Sequence, residues 1–515
     1  MPKEEIKSFT WDFYSKLIII IFAVLQIMRW RILPQFMDMY YHLLTAWGFN
    51  QSGGYSGWDF WQYAPVGRVH IYPPFFHIIL SIFLKLGIDK IILAKTFETI
   101  TPILFLITSY WFFRKNYGER LGFFILFAFS SSFSFYLSLI NNIPATFALI
   151  FGILAFDKLF GENIIGAIMF SLLCFYTHIG ASWFIIFSIF LYGLLDAKIR
   201  KRSLIIVITA VILSIPVIIK QFAGAKFIPL SGINEKYFCE FKTIEYLLAL
   251  LGAAIILSKK NKYYLILSLF LASFIFLFYP YRFFSAQGYL PVILLCAVSL
   301  DFLYDSIKNR NVFLKVPTLA LALVFILIIS PTISMYKNQI WEKLKYRIYF
   351  FDSAFVNMVL PQLNERIPSI SLWHSDVYPA TAELIRKNSV EGEIVYSTFP
   401  IVGVCLSSIS ERPSANALLP EVNPFKRFDP LVSSKIIIFG QDDSPELIEH
   451  LANKYNLTKI GENKMFILYK NNQCNTKINI RKASVPFWCI WIAGYVFIIM
   501  LLWGNFRRKF RRKFV

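Results

Sequence analysis

Apolar residues fill this chain in long runs, and the length of the runs is its first structural signal. A helix needs about 20 mostly apolar residues to cross a bilayer, and runs of that size recur along most of the sequence. The pattern predicts a polytopic α-helical membrane protein with about twelve transmembrane helices. The predicted spans are 15–33, 90–113, 121–139, 143–157, 163–178, 180–195, 203–220, 244–258, 263–279, 288–304, 314–334 and 484–504.

One apolar segment, residues 72–88, decides which loops face which side of the membrane. Two prolines, Pro73 and Pro74, introduce it, and Lys85 interrupts it. We interpret it as an interfacial helix that lies on the membrane within the first external loop. The alternative, a transmembrane span, would place the basic loops after residues 113 and 195 outside.

Composition and charge support this topology. Hydrophobic residues make up 57% of the chain, the mean hydropathy is +0.56, and the net charge is +21. With 72–88 at the interface, the basic residues concentrate in alternate loops, as the positive-inside rule requires. They lie in short separated loops without a binding motif, which argues against a nucleic-acid partner and for contact with the lipid bilayer. The predicted cytoplasmic clusters are 114–120, 158, 198–202, 259–262, 308–315 and the tail 507–513.

Residues 336–480 differ in kind, because hydrophobicity falls and charges of both signs appear. Helices are predicted from Asp376 to Lys387 and after Ser444, where a cap, a proline and an acidic residue follow one another. Strands are predicted at 393–397, 435–439 and 464–469. The sequence thus predicts three parts: a transmembrane domain (1–335), a small external α/β domain (336–480), and an anchor with a cytoplasmic tail (481–515).

Ionisable residues gather on the predicted outer surface of this multi-pass cell-membrane protein. Asp38 and His42 are four residues apart, so they share one face of a helix. Such groups are costly at a membrane unless they are solvated or paired, which makes a cluster of them a functional hypothesis. A carboxylate can serve as a base or metal ligand, and cations can hold a phosphate leaving group. The candidate residues are Asp38, His42, Arg68, His70, His77, His178 and Arg282.

Four short segments resemble the catalytic subunits of oligosaccharyltransferases and, more broadly, the GT-C class of membrane glycosyltransferases. Asp38-Met39-Tyr40-Tyr41-His42-Leu43 resembles their D-x-Y-Y-H-L segment, and residues 67–77 resemble the second half of their first external loop. Tyr281-Arg282-Phe283 resembles their R-F element. Residues 382–397 resemble the start of their external domain.

The resemblance implies a sugar donor linked to polyprenyl phosphate and a transfer reaction at the outer face of the membrane. It implies that Asp38 is the base or a metal ligand and that Arg282 contacts the phosphate. Arg68 and His70 would line the donor site. His42, His77 and His178 are further candidates for substrate binding, and a divalent metal, Mg²⁺ or Mn²⁺, is a candidate cofactor.

Two departures from the family pattern concern the acceptor and the metal. Where the family has W-W-D-Y-G, this chain has Thr398-Phe399-Pro400-Ile401-Val402-Gly403, so we expect no recognition of an Asn-x-Ser/Thr acceptor. The family's second acidic motif would fall near Asn141-Asn142, and amides bind such metals more weakly than carboxylates do. The acceptor, which could be a glycan, a lipid or a protein, stays open.

Two other functions compete with a glycosyltransferase. A transporter or flippase of lipid-linked glycans would show internal repeats and polar groups at mid-membrane, whereas the ionisable residues here sit at the outer edge. A catalytically inactive relative that only binds lipid is the other alternative, which the missing second acidic motif leaves open.

Overall fold

A computed structural model gives the fold. It describes residues 10–32, 34, 38–225, 238–258, 262–277, 280–307, 319, 321–324, 330–336, 345–359, 376–418, 424 and 426–514. Most of the predicted spans correspond to apolar helices. These helices are α1 (Trp11–Met28), α4 (Lys90–Tyr117), α5 (Glu119–Ser131), α6 (Phe133–Asn141), α7 (Ile143–Phe160), α8 (Ile164–Thr177), α9 (Ile179–Leu195), α10 (Arg200–Leu213), α11 (Ile215–Ala225), α12 (Thr243–Ser258), α13 (Tyr264–Ser273), α15 (Leu290–Ile307) and α21 (Phe487–Phe514).

Four helices among the described residues are long and apolar enough to cross a membrane by themselves, or five if a bent pair forms one span. Several other apolar helices are shorter than 18 residues. The chain is therefore a helical membrane protein, and the number twelve stays a prediction. Of the predicted span 314–334, most residues lie outside the described part, and its last three residues belong to a strand, Thr332–Tyr336.

Two of the predicted spans are broken helices. The span 121–139 is interrupted at Ser132, whose side chain accepts a hydrogen bond from the backbone of Phe135 and so caps α6. The span 203–220 bends by 61° between α10 and α11. Pro216, which follows the bend, has no backbone N–H to donate to the preceding turn, and this loss breaks the helix.

The loop that was predicted to be the first external one contains two helices and three short strands. Helix α2 (Asp38–Ser52) is followed by strands β1 (Gly54–Tyr55), β2 (Trp58–Asp59) and β3 (Arg68–Val69), and then by α3 (Phe75–Lys85). The predicted interfacial helix 72–88 thus corresponds to α3, which buries Phe76 and Leu80. Helix α2 buries nearly all of its residues, so it is an internal helix and not a surface helix.

A three-stranded antiparallel sheet packs against α6 and α12. Its strands, in the order β4-β5-β6, are β4 (Phe238–Lys242), β5 (Thr332–Tyr336) and β6 (Lys345–Tyr349). It is followed by α16 (Ala354–Val359). Ala354 and Met358 pack in the large core of the transmembrane helices, although they lie beyond the predicted domain boundary at 336.

The α/β unit contains the predicted elements. Strands β7 (Val395–Ser397), β8 (Ile436–Gly440), β9 (Leu457–Glu462) and β10 (Phe466–Asn471) form one sheet in the order β7-β8-β10-β9. The helices are α17 (Val377–Asn388), α18 (Pro400–Ser410), α19 (Pro430–Ser433) and α20 (Pro445–Lys454). Ser444 caps α20 by accepting a hydrogen bond from the backbone of Leu447, as predicted.

Helix α2 connects the α/β unit to the transmembrane helices. Tyr40 and Leu43 share a core with Phe76 of α3 and with Ile385 of α17. The loop is also hydrogen-bonded to the unit, because the backbones of Trp61 and Ala64 pair with that of Ser414 over 2.9 Å. Strand β1 pairs with β11 (Val485–Pro486), just before the last helix. These contacts fix the position of α2 and therefore of the residues at its start.

Candidate active site

A buried network holds the first external loop in shape. Asp59 and Arg68 face each other across β2 and β3. The Asp59 carboxylate accepts from Arg68 Nε at 3.2 Å and contacts His70 Nδ1 at 2.6 Å. Arg68 also donates to Gln62 Oε1 and to the Leu418 carbonyl of the α/β unit, at 2.7 and 2.9 Å.

The charges in this network compensate one another. Burial alone would raise the pKa of Asp59, but His70 and Arg68 outweigh it and lower that pKa. The side chains of Arg68 and His70 are 2% and 0% exposed, so both belong to the interior of the loop. That they line the donor site stays a prediction.

Two histidines of the loop, His42 and His77, form a pair beside this network; the ring centroid of His77 lies 5.6 Å from that of His70. His42 Nδ1 of α2 and His77 Nε2 of α3 are 2.9 Å apart, so one of them donates and the other accepts. Burial, with the nearby charge of His70, lowers the pKa of His42 to about 3 and holds the pKa of His77 well below its usual range. Both rings are therefore neutral at physiological pH, and the pair offers polar contacts without a net charge.

A second pair of polar side chains consists of His178 and Arg282. His178 caps α9, and its Nδ1 accepts a hydrogen bond from the Ala181 backbone at 3.1 Å. An accepting Nδ1 carries no proton, so the proton of this ring is on Nε2. Arg282 Nη1 lies 3.5 Å from that nitrogen and donates to Gln287 Oε1 at 3.1 Å. Arg282 belongs to a short helix, α14 (Pro280–Ser285), after a break in the apolar run.

Two N–H donors that face each other at this distance would repel unless an oxygen acceptor lies against both. Gly180 leaves room beside them, since a Cβ at that position would lie 3.7 Å from Arg282 Nη1. A phosphate oxygen carries the negative charge and the lone pairs to accept from Arg282 Nη1 and His178 Nε2 together.

Tyr72 connects the two pairs. Its ring centroid lies 5.3 Å from that of His42, 5.4 Å from that of His77 and 6.0 Å from that of His178. The charges of Arg282 and Asp38 both act on its hydroxyl. Asp38 is the first residue of α2, where the positive end of the helix dipole favours a carboxylate.

The structure therefore gathers His42, His77, His178 and Arg282 around Tyr72, with Asp38 close enough to act on it. Tyr72, Asp59 and Gln287 were not among the predicted site residues. A signal for Asp59 existed, because Asp59 and Arg68 flank a loop that contains Pro65 and Gly67, and oppositely charged residues suit cross-strand partners. Tyr72 carried no such signal, since an aromatic residue beside a membrane helix is ordinary.

The segment that replaces W-W-D-Y-G lies at the start of α18. The Asp443 carboxylate oxygen Oδ2 accepts from Thr398 Oγ1 at 2.7 Å and from the Gly440 backbone at 2.8 Å. Phe399 and Ile401 are 45% and 49% exposed. The carboxylate here thus holds its own loop together, and the exposed surface is apolar.

Comparisons with known proteins identify the fold. No protein-family model matches the chain, and no curated protein matches it. The archaeal oligosaccharyltransferase AglB from Archaeoglobus fulgidus, in complex with an inhibitory peptide and a dolichol-phosphate, matches 83% of this chain and 69% of its own, at 12% identity and a TM-score of 0.52.

Two further structures match at lower scores. The A. fulgidus oligosaccharyltransferase in complex with Zn and sulfate covers 90% of this chain and 74% of its own, at 13% identity and a TM-score of 0.49. Apo ArnT from Cupriavidus metallidurans covers 84% and 96%, at 13% identity and a TM-score of 0.45. With AglB, the chain shares the fold of the GT-C glycosyltransferases.

Proposed function

We propose that this chain is a membrane glycosyltransferase that takes a sugar from a polyprenyl-phosphate carrier at the outer face of the membrane. The observation that carries the proposal is the convergence of Arg282 Nη1 and the protonated Nε2 of His178, 3.5 Å apart. The likeness to AglB, whose structure holds a dolichol-phosphate, supports the same ligand chemistry. The acceptor is a glycan, a lipid or a protein.

The proposed reaction breaks one bond and forms one. The acceptor hydroxyl attacks the anomeric carbon of the sugar, and its proton passes to the carboxylate of Asp38. The bond from this carbon to the phosphate oxygen breaks, and the phosphate leaves with the electron pair. Arg282 and His178 stabilise the charge that develops on the phosphate. The neutral pair of His42 and His77 would contact the sugar hydroxyls.

The candidate divalent metal has no preformed cluster of protein ligands among the described residues. Among them, no group of three or more His, Cys, Asp or Glu side chains could hold a metal ion. Asn141 and Asn142 stand where the resemblance places the second acidic motif, and they add no carboxylate. We therefore assign every step to protein side chains.

The direct test is turnover with a polyprenyl-phosphate-linked sugar. The purified full-length protein should release polyprenyl phosphate, and Arg282→Gln should slow this release by about 10²-fold or more, as expected for the loss of a donor to a developing oxyanion. Arg202→Gln is the control, because the exposed ion pair of Arg202 with Glu162 lies in a predicted cytoplasmic loop. Binding of the donor without any turnover would instead identify an inactive lipid-binding relative.

The orientation of the chain is a separate proposal, which rests on the basic residues of alternate loops. We expect the α/β unit to be external and the tail to be cytoplasmic. A cysteine at Gln473, exposed on the unit, should react with a membrane-impermeant thiol reagent in intact cells. A cysteine at Ala197, exposed in the turn between α9 and α10, should stay unlabelled above the wild-type background. The reverse labelling pattern would place the proposed active site on the cytoplasmic side.

A further inference from the structure

Tyr72 occupies the junction of the site. It follows β3 and precedes the two prolines that start α3, so its backbone is held on both sides. Its ring packs edge-on against His42, His77 and His178. These histidines come from three different helices or helix ends, and Tyr72 contacts all of them while its side chain remains partly exposed.

The hydroxyl of Tyr72 lies in the field of the two charges that the proposed reaction uses. Burial is the main cause that raises its pKa; Arg282 opposes this shift and Asp38 adds to it. The hydroxyl therefore keeps its proton at physiological pH and can act as a hydrogen-bond donor. Arg282 Nη1 is in turn 3.5 Å from Nε2 of His178, whose ring centroid lies 6.0 Å from that of Tyr72.

We propose that the Tyr72 hydroxyl donates a hydrogen bond to the phosphate of the polyprenyl carrier, as a third donor beside Arg282 and His178. This inference rests on the proposed function. The hydroxyl keeps its own proton throughout the transfer. As the bond between sugar and phosphate breaks, the phosphate gains negative charge and the hydrogen bond strengthens, so Tyr72 stabilises the leaving group more than the intact donor.

The competing explanation is that Tyr72 serves only as a ring that orients the histidines. The two roles separate in Tyr72→Phe, which keeps the ring and removes the donor. Tyr41 provides a matched control, because its ring also contacts His42 and His77, at centroid distances of 4.9 and 6.1 Å. The charges that act most strongly on the hydroxyl of Tyr41 are those of Asp59 and Arg68, in the network of β2 and β3, and Tyr72 has a smaller effect.

The experiment compares full-length wild type, Tyr72→Phe and Tyr41→Phe for binding of polyprenyl phosphate and of the uncharged polyprenol. We expect Tyr72→Phe to bind polyprenyl phosphate about tenfold or more weakly, the usual effect of one hydrogen bond to a charged group, with polyprenol binding unchanged. Turnover should fall by at least the same factor. Tyr41→Phe should stay within about threefold of wild type in both binding assays.

The outcomes distinguish this inference from the proposed function. If wild type binds polyprenyl phosphate and Tyr72→Phe binds it equally well, the ring-only explanation is correct and the inference fails. If wild type shows no preference for polyprenyl phosphate over polyprenol, the proposed function fails and the inference falls with it. Tyr72→His, which keeps an aromatic ring and an N–H donor, should recover part of the preference for phosphate; a thermal unfolding curve confirms that each variant is folded.

Discussion

Asp38→Asn should lower turnover by about 10²–10⁴-fold, the usual effect of losing a catalytic acid–base group, while the protein stays folded and binds polyprenyl phosphate. The substitution is nearly isosteric but removes the only group that we assign as the base. Asp38 begins a helix that is buried along almost its whole length, so the surrounding packing holds the start of this helix in place. We therefore expect Asp38→Asn to fold and to bind the donor without turning it over.

The measurement is release of polyprenyl phosphate under single-turnover conditions, together with equilibrium binding of the same carrier. Asp89→Asn is a matched control, since Asp89 also begins a helix, α4, where it accepts hydrogen bonds from the backbones of Ile91 and Ile92. Asparagine caps helices as well as aspartate does, so this variant should retain wild-type turnover. Activity of Asp38→Asn within a few-fold of wild type would refute the assignment of Asp38 as the base.

The elements that could be predicted from the sequence are those whose signal is local. The length of an apolar run is enough to predict α4 or α7, and the Ser-Pro-Glu sequence at 444–446 predicts the start of α20. The strands β7, β8 and β10 are short apolar segments between turn residues, and they were predicted within two residues. None of these predictions depends on where the rest of the chain lies.

The elements that could not be predicted depend on pairing between distant segments. Strand β5 lies at the end of a predicted span and pairs with β4, about 90 residues earlier, so hydropathy alone assigned it to the membrane. The break at Ser132 likewise has no proline or glycine to signal it. Its cause is tertiary, since Ser132 forms a bridge with Ser353 of the segment that precedes α16.

The candidate site shows the same division. The i, i+4 spacing of Asp38 and His42 is local, and the structure places both residues in one helix, α2, which begins at Asp38. The partner of His42 is His77, 35 residues away, and only the packing of α2 on α3 brings the rings together. Arg68 and His70 were predicted from their charge, but their common partner Asp59 and their burial are consequences of the folded loop.

The second large effect concerns the acceptor: this protein should not transfer sugar to Asn-x-Ser/Thr peptides. A site built to bind the Ser or Thr hydroxyl by a hydrogen bond discriminates by about 10⁴–10⁵-fold, whereas an apolar surface selects hydroxyl groups weakly. The residues at the start of α18 offer Phe399 and Ile401 to solvent, and the nearby Asp443 already accepts from Thr398 and Gly440. We propose a glycolipid or glycan acceptor, because neither requires a buried carboxylate that accepts a hydrogen bond from a Ser or Thr hydroxyl.

The assay would offer one polyprenyl-phosphate-linked donor to three acceptors in parallel: a sequon peptide, the same peptide with its asparagine replaced by glutamine, and a lipid-linked glycan. We expect labelled glycan and equal background labelling of the two peptides. The glutamine peptide separates true sequon recognition from nonspecific transfer, since it keeps the amide and the Ser/Thr hydroxyl but moves the amide by one methylene. Efficient labelling that depends on the asparagine would contradict our interpretation of residues 398–403 as an apolar surface without sequon recognition. It would make protein N-glycosylation the function, and a carboxylate elsewhere in the site would then bind the Ser or Thr hydroxyl.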